Sequence, residues 1–209
     1  MQPTKEGKIS VSVMCSDLMN LERDIKQLER NGVDYLHVDV MDAHFVPNLT
    51  FGVDFIAAMH RVTKLPLDIH LMVEHPLPIM EAMDIRPGDR ISLHVELGEQ
   101  LHELAKAVRA RGAHFGLVVN PSTPVEALTP YLDEIEWVIL MLVQPGFAGA
   151  KLIDGILDKV AAARRFLDEH GHPETEISVD GSVSCERAPC ATWAPRSSSA
   201  GRQASTARE

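Results

Sequence analysis

Short runs of β-branched and aliphatic residues alternate along the chain with longer segments whose apolar residues recur at helical spacing. The strand-like runs cover residues 9–14, 35–40, 66–72, 90–95, 115–119, 137–142 and 176–180. Segments such as 18–31, 101–111 and 152–170 lie between them and show the period of an amphipathic helix. Units of roughly 25 to 30 residues, each a strand followed by a helix, predict right-handed βαβ crossovers and a parallel sheet.

Seven such strands are compatible with two α/β architectures. One is a TIM (β/α)8 barrel that lacks one unit, and the other is an open, doubly wound sheet. The spacing of the apolar residues does not choose between them. The 209 residues are enough for one domain with a sizeable core and too few for two ordinary domains.

Composition narrows the range of partners and compartments. Hydrophobic residues make up 45% of the chain and aromatic residues 5%, so aliphatic side chains must fill the interior. The net charge of −10, without a cluster of Lys or Arg, argues against nucleic acid and against an anionic membrane surface. The chain shows neither a signal peptide nor an apolar run long enough for a membrane span, and its three cysteines lack zinc-site spacing. We therefore expect a cytoplasmic protein with reduced thiols.

The composition changes abruptly at residue 185. Residues 185–209 are rich in Ala, Ser, Arg and Thr and contain no strand-like apolar run. Such a segment cannot bury enough apolar area to offset the conformational entropy that ordering removes. The sequence thus predicts one (β/α) domain in residues 1–184, followed by an irregular tail in residues 185–209.

Candidate chemistry is concentrated in the segment from His37 to Asp42, at the second strand-like run. Residues i and i+2 of a strand point to the same side, so His37 and Asp39 share one face, and burying them is costly unless each has a partner. His70 has a similar place in the third run, and Asp180 ends the seventh. Two imidazoles and two carboxylates would suit Zn²⁺, Mn²⁺, Fe²⁺ or Co²⁺. The alternative is a set of separate buried hydrogen bonds.

Five sequence motifs follow one another along residues 9–184. They are Ser12-Val13-Met14 with Asp17-Leu18, His37-Val38-Asp39-Val40-Met41-Asp42-Ala43-His44-Phe45-Val46-Pro47-Asn48, His70-Leu71-Met72-Val73, Val143-Gln144-Pro145-Gly146-Phe147-Ala148-Gly149 and Val179-Asp180-Gly181. In their order and spacing they resemble the ribulose-phosphate 3-epimerase family. The resemblance implies a (β/α)8 barrel of the ribulose-phosphate-binding type. It also implies reversible epimerisation at C3 of a ketose phosphate through a cis-enediolate.

The resemblance assigns roles to the four polar residues. His37, Asp39, His70 and Asp180 match the family's ligands of one divalent metal ion, and Asp39 and Asp180 also match its paired acid and base. Inverting a stereocentre beside a carbonyl requires that a proton leave one face and that another arrive at the opposite face. Two carboxylates must therefore flank C3. The metal would polarise the C2 carbonyl and the C3 hydroxyl and stabilise the charge of the enediolate.

Further positions match residues that contact substrate in the family. They are Ser12, Met41, His70, Met72, Met141, Gly146, Phe147, Ala148, Gly149, Gly181 and Ser182. A thioether is neutral, so the methionines could pack against the enediolate without protonating it; ordinary core methionines are the alternative. Residues 145–149 fit a flexible loop that could close over the substrate, with an ordinary βα turn as the alternative. Its glycines let backbone N–H groups approach a phosphate closely, and residues 181–182 stand where such barrels begin their phosphate site. The role of His44 stays open between a substrate contact and a loop position.

The chain departs from the family pattern within these motifs. Ala43 stands where the family usually has Gly, Ala150 where it usually has Gln, and Ser182 where a second Gly is commoner. Residues 14–15 and 180–182 are closer to the allulose-6-phosphate 3-epimerase branch, which shares the mechanism and takes a six-carbon substrate.

The largest departure lies at the C-terminal end. After residue 184 the family continues with a helix, an eighth strand, a glycine-containing phosphate loop and a last helix, whereas residues 185–209 show none of these patterns. If G/C-rich synonymous codons encode residues 190–208, a step back of one nucleotide near Pro189 yields MRDLGAAIFVGGTAGIYRE. That string contains a helix end, an apolar strand and a Gly-Gly-Thr loop. We therefore expect that a change of reading frame produced the end of this chain.

Three classes of function compete. The leading hypothesis is a metal-dependent epimerase that interconverts D-ribulose 5-phosphate and D-xylulose 5-phosphate, with D-allulose 6-phosphate as the alternative substrate. A truncated, non-catalytic sugar-phosphate-binding barrel is favoured by the lost eighth strand and opposed by the four retained polar residues. A barrel decarboxylase or aldolase is opposed because the chain lacks an Asp-x-Lys-x-x-Asp element. The expected partner is a small sugar phosphate, with no nucleic acid and no membrane, and we expect a homo-oligomer.

Overall fold

The computed structural model describes residues 7–181 and residue 183. Its seven strands are β1 (Ser10–Ser12), β2 (Tyr35–Met41), β3 (Leu67–Met72), β4 (Arg90–His94), β5 (His114–Val119), β6 (Trp137–Met141) and β7 (Glu176–Asp180). They form one sheet in chain order, and each neighbouring pair is parallel. A doubly wound sheet reverses its strand order part-way, which this sheet does not do. The fold is therefore of the TIM-barrel type, with seven strands in the described part of the chain.

Helices connect successive strands, as the alternating pattern predicts. They are α1 (Leu21–Arg30), α2 (Val53–Val62), α3 (Pro76–Ala82), α4 (Leu101–Arg109) and α5 (Ile156–Glu169). Between β5 and β6 the connection is a 3₁₀ helix, Val125–Tyr131, and two further 3₁₀ helices follow β1 and β4, at Val13–Cys15 and Val95–Gln100. No described helix is both long enough and apolar enough to span a membrane.

The predicted strands are confirmed, with ends that shift by one or two residues. The largest shift is in β1, which ends at Ser12 because a 3₁₀ helix begins at Val13. The last helix begins at Ile156, four residues later than the apolar pattern predicts. Its preceding residue, Gly155, has a φ of 74°, and a helix cannot extend through this left-handed conformation.

The alternation of side chains along the strands separates the apolar core from the polar site. Val38 and Val40 of β2 and Ile69 and Leu71 of β3 are buried in the core beside Ile56 of α2. Burying each such side chain stabilises the fold by about 1.5–3 kcal/mol. Because neighbouring residues of a strand point to opposite faces, the polar residues between them point into the barrel interior.

An aromatic and ionic cluster fills the barrel interior at the N-terminal ends of the strands. The Arg90 guanidinium carbon lies 4.0 Å from the ring centroid of Trp137 and 4.9 Å from that of Tyr35. One of its amino groups lies 3.3 Å from the Glu176 carboxylate. Gly116 is required beside it, because a Cβ atom at that position would lie 2.3 Å from the Trp137 ring. This cluster packs the N-terminal end of the barrel among the described residues.

The predicted C-terminal features lie outside the described residues. Residues 185–209, which contain the predicted irregular tail, are among them, so the boundary at residue 184 stays a prediction. Within the described part of the chain, β1 pairs only with β2 and β7 pairs only with β6. An eighth strand paired with both of them would close the barrel.

Candidate active site

Four polar side chains meet at the C-terminal ends of β2, β3 and β7. His37 Nε2 and His70 Nδ1 each lie 3.2 Å from Asp39 Oδ1. The same two nitrogen atoms lie 3.8 Å and 3.7 Å from Asp180 Oδ2. His37, Asp39 and His70 are buried, whereas the Asp180 side chain is 27% exposed. The structure thus brings together the four residues predicted to act as one group.

The strand register explains why these residues meet. In β2, His37 and Asp39 are two residues apart and share a face, and the pairing of β2 with β3 places Asp39 beside His70. Asp180 is the last residue of β7, in register with Met141 of β6. The register thus places Asp39 beside His70, and the side chains of His37 and Asp180 reach the same group from their own strands.

The spacing of these atoms suits a metal ion. One ligand atom from each of His37, Asp39, His70 and Asp180 lies within 4.8 Å of the other three. Ligand atoms about 2.1 Å from a Zn²⁺-sized ion, at tetrahedral angles, lie about 3.4 Å from one another. The four nitrogen-to-oxygen distances between 3.2 and 3.8 Å bracket that value. Two imidazoles and two carboxylates in this arrangement could hold a divalent transition metal.

A third carboxylate orients His37 from behind. Asp68 Oδ2 lies 3.0 Å from His37 Nδ1 and accepts a hydrogen bond of 2.8 Å from the Ser10 hydroxyl. Burial acts to lower the pKa of His37, but the charges of Asp39 and Asp68 outweigh it and hold that pKa well above its usual value. Metal ligands of the histidine type commonly have such a carboxylate on their second nitrogen.

Asp39 is held in its ionised form by its neighbours. Burial acts to raise the pKa of Asp39, but His37 and His70 lower it far below its usual value. Its second oxygen, Oδ2, lies 3.1 Å from the Ser12 hydroxyl, which donates to it. Ser12, predicted to contact substrate, therefore also contacts the carboxylate that the sequence predicts to be catalytic.

Three polar residues of this site are not among those that the sequence predicts. Asp68 lies two residues before His70 in β3, so the same-face rule that pairs His37 with Asp39 could have identified it. His94 lies at the end of the fourth strand-like run and Glu96 directly after it, and His94 Nε2 lies 2.9 Å from His70 Nε2. Their spacing of two residues is the signal, although β4 ends between them and the same-face rule does not apply.

The predicted methionines fall into two groups. Met41 and Met72 are buried against Val46, and they are adjacent across the β2–β3 pairing. Met141 belongs to a separate cluster on β5 and β6, where it lies in register with Asp180. The methionines therefore line the interior beside the polar group from two sides.

Comparison with known proteins agrees with this geometry. The family model of the ribulose-phosphate 3-epimerase family matches residues 8–195. The chain belongs to the ribulose-phosphate 3-epimerase family. The resemblance to this family, which the motifs predict, is confirmed. The protein is an isomerase of the epimerase class that acts on carbohydrates.

Relatives from bacteria and plants share most of the chain. The ribulose-phosphate 3-epimerase of Bacillus subtilis is 40% identical over 182 residues, which cover 87% of this chain and 84% of the relative. That of Treponema pallidum is 39% identical over 181 residues, covering 87% of this chain and 83% of the relative. The cytoplasmic isoform of rice is 36% identical, covering 85% and 77% respectively.

The loop after β6 is tied to the loop after β2. The Asn48 side-chain amide donates a hydrogen bond of 2.6 Å to the Gly146 carbonyl oxygen, and a Cβ atom on Gly146 would lie 3.3 Å from Val46. The following residues of the predicted phosphate-contacting segment, from Phe147 to Gly149, are exposed. This epimerase-family loop therefore has one anchored end and one open end at the mouth of the site.

Gly181 begins the second predicted phosphate segment. Its φ is 102°, and a Cβ atom there would lie 2.4 Å from a methyl group of Val143, so only glycine fits. Ser182 lies outside the described residues, and its predicted contact stays a prediction.

The loop after β2 is anchored by Asp42 and contains a strained residue. One oxygen of Asp42 accepts the backbone N–H groups of His44 and Phe45, and the other accepts that of Glu74. His44 is exposed, and its ring bonds back to the Asp42 carbonyl, which favours the loop position over a substrate contact. Ala43 has a φ of 62°, a left-handed conformation that glycine adopts more easily than an L-residue does, which agrees with the glycine expected there from the resemblance.

Proposed function

We propose that the protein is a metal-dependent ketose-phosphate 3-epimerase that interconverts D-ribulose 5-phosphate and D-xylulose 5-phosphate. The observation that carries this proposal is the convergence of two histidines and two aspartates within 4.8 Å at the mouth of an epimerase-family barrel. The printed names of the relatives support the choice of substrate.

His37, Asp39, His70 and Asp180 would hold one divalent ion, Zn²⁺, Mn²⁺, Fe²⁺ or Co²⁺, whose charge would polarise the substrate oxygens at C2 and C3. The direction of the pKa shift of His37 agrees with its proposed role as a metal ligand. Because the pKa of His37 is raised by two carboxylates, its Nε2 proton sits where a cation is electrostatically favoured. Binding a metal there releases that proton, since a histidine ligand must be neutral.

Asp39 and Asp180 are the proposed acid and base. Asp39 is ionised, so it can accept the C3 proton from one face of the substrate, which leaves an enediolate. Asp180, on a different strand, would enter the step protonated and deliver its proton to the opposite face, which leaves Asp39 protonated and Asp180 ionised. The reverse reaction starts from that state with the roles exchanged. The Ser12 hydroxyl orients the Asp39 carboxylate through its 3.1 Å hydrogen bond.

The surrounding residues have supporting roles in this proposal. Met41, Met72 and Met141 present neutral side chains to the enediolate and exclude water from it. Backbone N–H groups of residues 146–149 and 181–182 bind the phosphate. The exposed Phe147 closes over the substrate when the phosphate is bound.

The remaining predictions accompany this function. We propose that residues 1–184 form the epimerase domain and that a change of reading frame near Pro189 produced the end of the tail in 185–209. We also propose a cytoplasmic location, which the printed name of the rice relative supports, and a homo-oligomeric assembly.

The proposal is tested by incubating the protein with D-ribulose 5-phosphate and, separately, with D-allulose 6-phosphate, in the presence of Mn²⁺ or Zn²⁺. Carbon-13 NMR of each mixture distinguishes the C3 epimers. The chain with its frame restored is tested in parallel. The proposal predicts faster conversion of the pentulose phosphate. Faster conversion of the hexulose phosphate would reassign the substrate. A folded, metal-loaded, frame-restored protein that converts neither would indicate a non-catalytic binding barrel.

A further inference from the structure

His94 contacts the side of His70 that faces away from the other three predicted metal ligands. His94 is the last residue of β4 and is fully buried. Its Nε2 atom lies 2.9 Å from His70 Nε2, whereas His70 Nδ1 faces Asp39 and Asp180. The two rings are tilted by 27°, with centroids 5.0 Å apart, and their Nε2 atoms are within hydrogen-bond distance.

Two imidazole nitrogens at this distance must share a single hydrogen in one hydrogen bond. At 2.9 Å one of them must carry a hydrogen and the other must offer a lone pair, since two N–H groups or two lone pairs would repel each other. The direction of this hydrogen bond is linked to the far nitrogen of each ring. A neutral imidazole carries a single hydrogen, so the state of one nitrogen determines that of the other.

The position of Glu96 determines which of the two rings accepts the hydrogen bond. Its Oε2 atom lies 3.4 Å from His94 Nδ1, which has no well-aligned hydrogen bond among the described residues. A carboxylate oxygen favours an N–H group at that nitrogen and opposes a lone pair. A neutral His94 ring has a single hydrogen, and the carboxylate beside Nδ1 places it on that nitrogen. His94 Nε2 is then the acceptor.

The carboxylate of Glu96 is itself held in place. The Thr123 hydroxyl donates to Glu96 Oε1. The Lys159 ammonium group donates to the backbone carbonyl oxygens of Asn120, Pro121 and Thr123, and this fixes the loop after β5 that carries Thr123. Glu96 therefore faces His94 from a defined position.

We infer that His94 is a positioning residue that fixes the tautomer of His70. By accepting a hydrogen bond from His70 Nε2–H, it makes Nδ1, which faces Asp39 and Asp180, the nitrogen that would give up its hydrogen to a metal ion. Asp68 does the same for His37 with a charged acceptor, whereas His94 is a neutral one. This inference rests on the proposed function, because it assigns His94 a role toward the metal that His70 would bind.

A purely structural role is the competing explanation. His94 also packs against the Phe45 ring, with centroids 4.6 Å apart, and its loss could simply loosen the core. The two explanations differ in what a substitution does to metal affinity in protein that remains folded.

The first measurement is the dissociation constant for Zn²⁺, obtained by chelator competition on the full chain. His94→Leu removes the acceptor, and we expect it to weaken binding about 10- to 100-fold. His94→Gln can place an amide oxygen near the position of Nε2, and we expect it to bind nearly as tightly as the wild type. His60→Leu is the control, since it removes another buried histidine, paired with Asp89 near the opposite end of β4. It should leave the dissociation constant unchanged.

The second measurement is nitrogen-15 NMR of the histidine rings in the wild-type protein, which requires no variant to fold. We expect a hydrogen on His94 Nδ1 and none on Nε2. A hydrogen on His94 Nε2, or wild-type zinc affinity in folded His94→Leu protein, would overturn this inference and leave the proposed function intact. No zinc uptake by the wild type would overturn the proposed metal site, and this inference with it.

Discussion

The Nδ1 atom of His37 lies 3.0 Å from the Oδ2 atom of Asp68, deep in the barrel and on the side away from the other predicted ligands. Burial acts to raise the pKa of Asp68, but His37 and the Ser10 hydroxyl bond keep it below its usual value. The carboxylate is therefore charged and fixes the orientation of the imidazole. The proposed metal site thus depends on residues that would not touch the metal.

Replacing Asp68 with Asn tests this dependence. The amide oxygen can still accept a hydrogen bond from His37, but the negative charge that makes the imidazole a stronger ligand is lost. We expect the affinity for Zn²⁺ to fall by about tenfold or more, measured by chelator competition. Asp89→Asn is the matched control, because Asp89 forms an equivalent buried pair with His60. Equal zinc affinity in Asp68→Asn and wild-type protein would contradict the assigned role.

Replacing His37 or His70 with Ala removes one predicted ligand each. We expect stoichiometric metal uptake to be lost in both variants, because three remaining groups cannot complete the site. Elemental analysis of the folded protein after dialysis measures the uptake. His114→Ala is the control, since His114 is an exposed histidine paired with Glu136 at the other end of the barrel. Unchanged uptake in both His37→Ala and His70→Ala would refute the site.

The left-handed backbone of Ala43 predicts a stabilising substitution. An L-residue in this conformation costs about 1–2 kcal/mol, and glycine avoids that cost but loses about 0.5–1 kcal/mol of backbone entropy. Ala43→Gly should therefore raise the melting temperature by a few degrees at most. Ala107→Gly, inside α4, should lower it, because glycine there costs about 1 kcal/mol relative to alanine. A lower melting temperature for Ala43→Gly would contradict the backbone strain assigned to Ala43.

Much of the fold and site follows from local sequence pattern. The apolar runs predict all seven described strands, and the two-residue spacing of His37 and Asp39 places them correctly on one face. The 3₁₀ helix after β1 could not be predicted, because Val13 is as apolar as the strand before it. The doubly wound alternative remained open for a similar reason, since strand order depends on contacts between distant segments.

Contacts between strands account for the residues that the sequence did not identify. His94 joins the site through His70, which is 24 positions earlier in the chain. The sequence alone does not show how β3 pairs with β4, so from the sequence His94 is only the last residue of an apolar strand. Met141 could be placed near Asp180 only through the β6–β7 pairing. Resemblance to the family supplied Met141, which the pattern of residues alone did not, but it did not supply His94.

Within the described residues β1 and β7 each pair with one neighbouring strand, and this underlies a prediction about the end of the chain. An eighth strand and helix would bury apolar area worth about 25 cal/mol per Å², and net stabilities of proteins are only about 5–15 kcal/mol. We expect restoration of the reading frame near Pro189 to raise the melting temperature, reduce aggregation and increase turnover of D-ribulose 5-phosphate. Both versions should be expressed and measured side by side. Equal melting and equal turnover would mean that the altered end does not impair the enzyme.

The pairing of Asp39 with Asp180 across C3 is the central claim, and hydrogen exchange at C3 tests it most directly. The measurement follows epimerisation of D-ribulose 5-phosphate in ²H₂O by the frame-restored protein and its Asp39→Asn and Asp180→Asn variants, with metal occupancy verified. Asp54→Asn, on the exposed face of α2, is the control. We predict that each active-site variant loses epimerisation by at least about 10²-fold. Each variant should still exchange the C3 hydrogen with solvent in only one of the two epimers. The epimer that exchanges should differ between the two variants. Near-normal epimerisation in either metal-loaded variant would contradict the account.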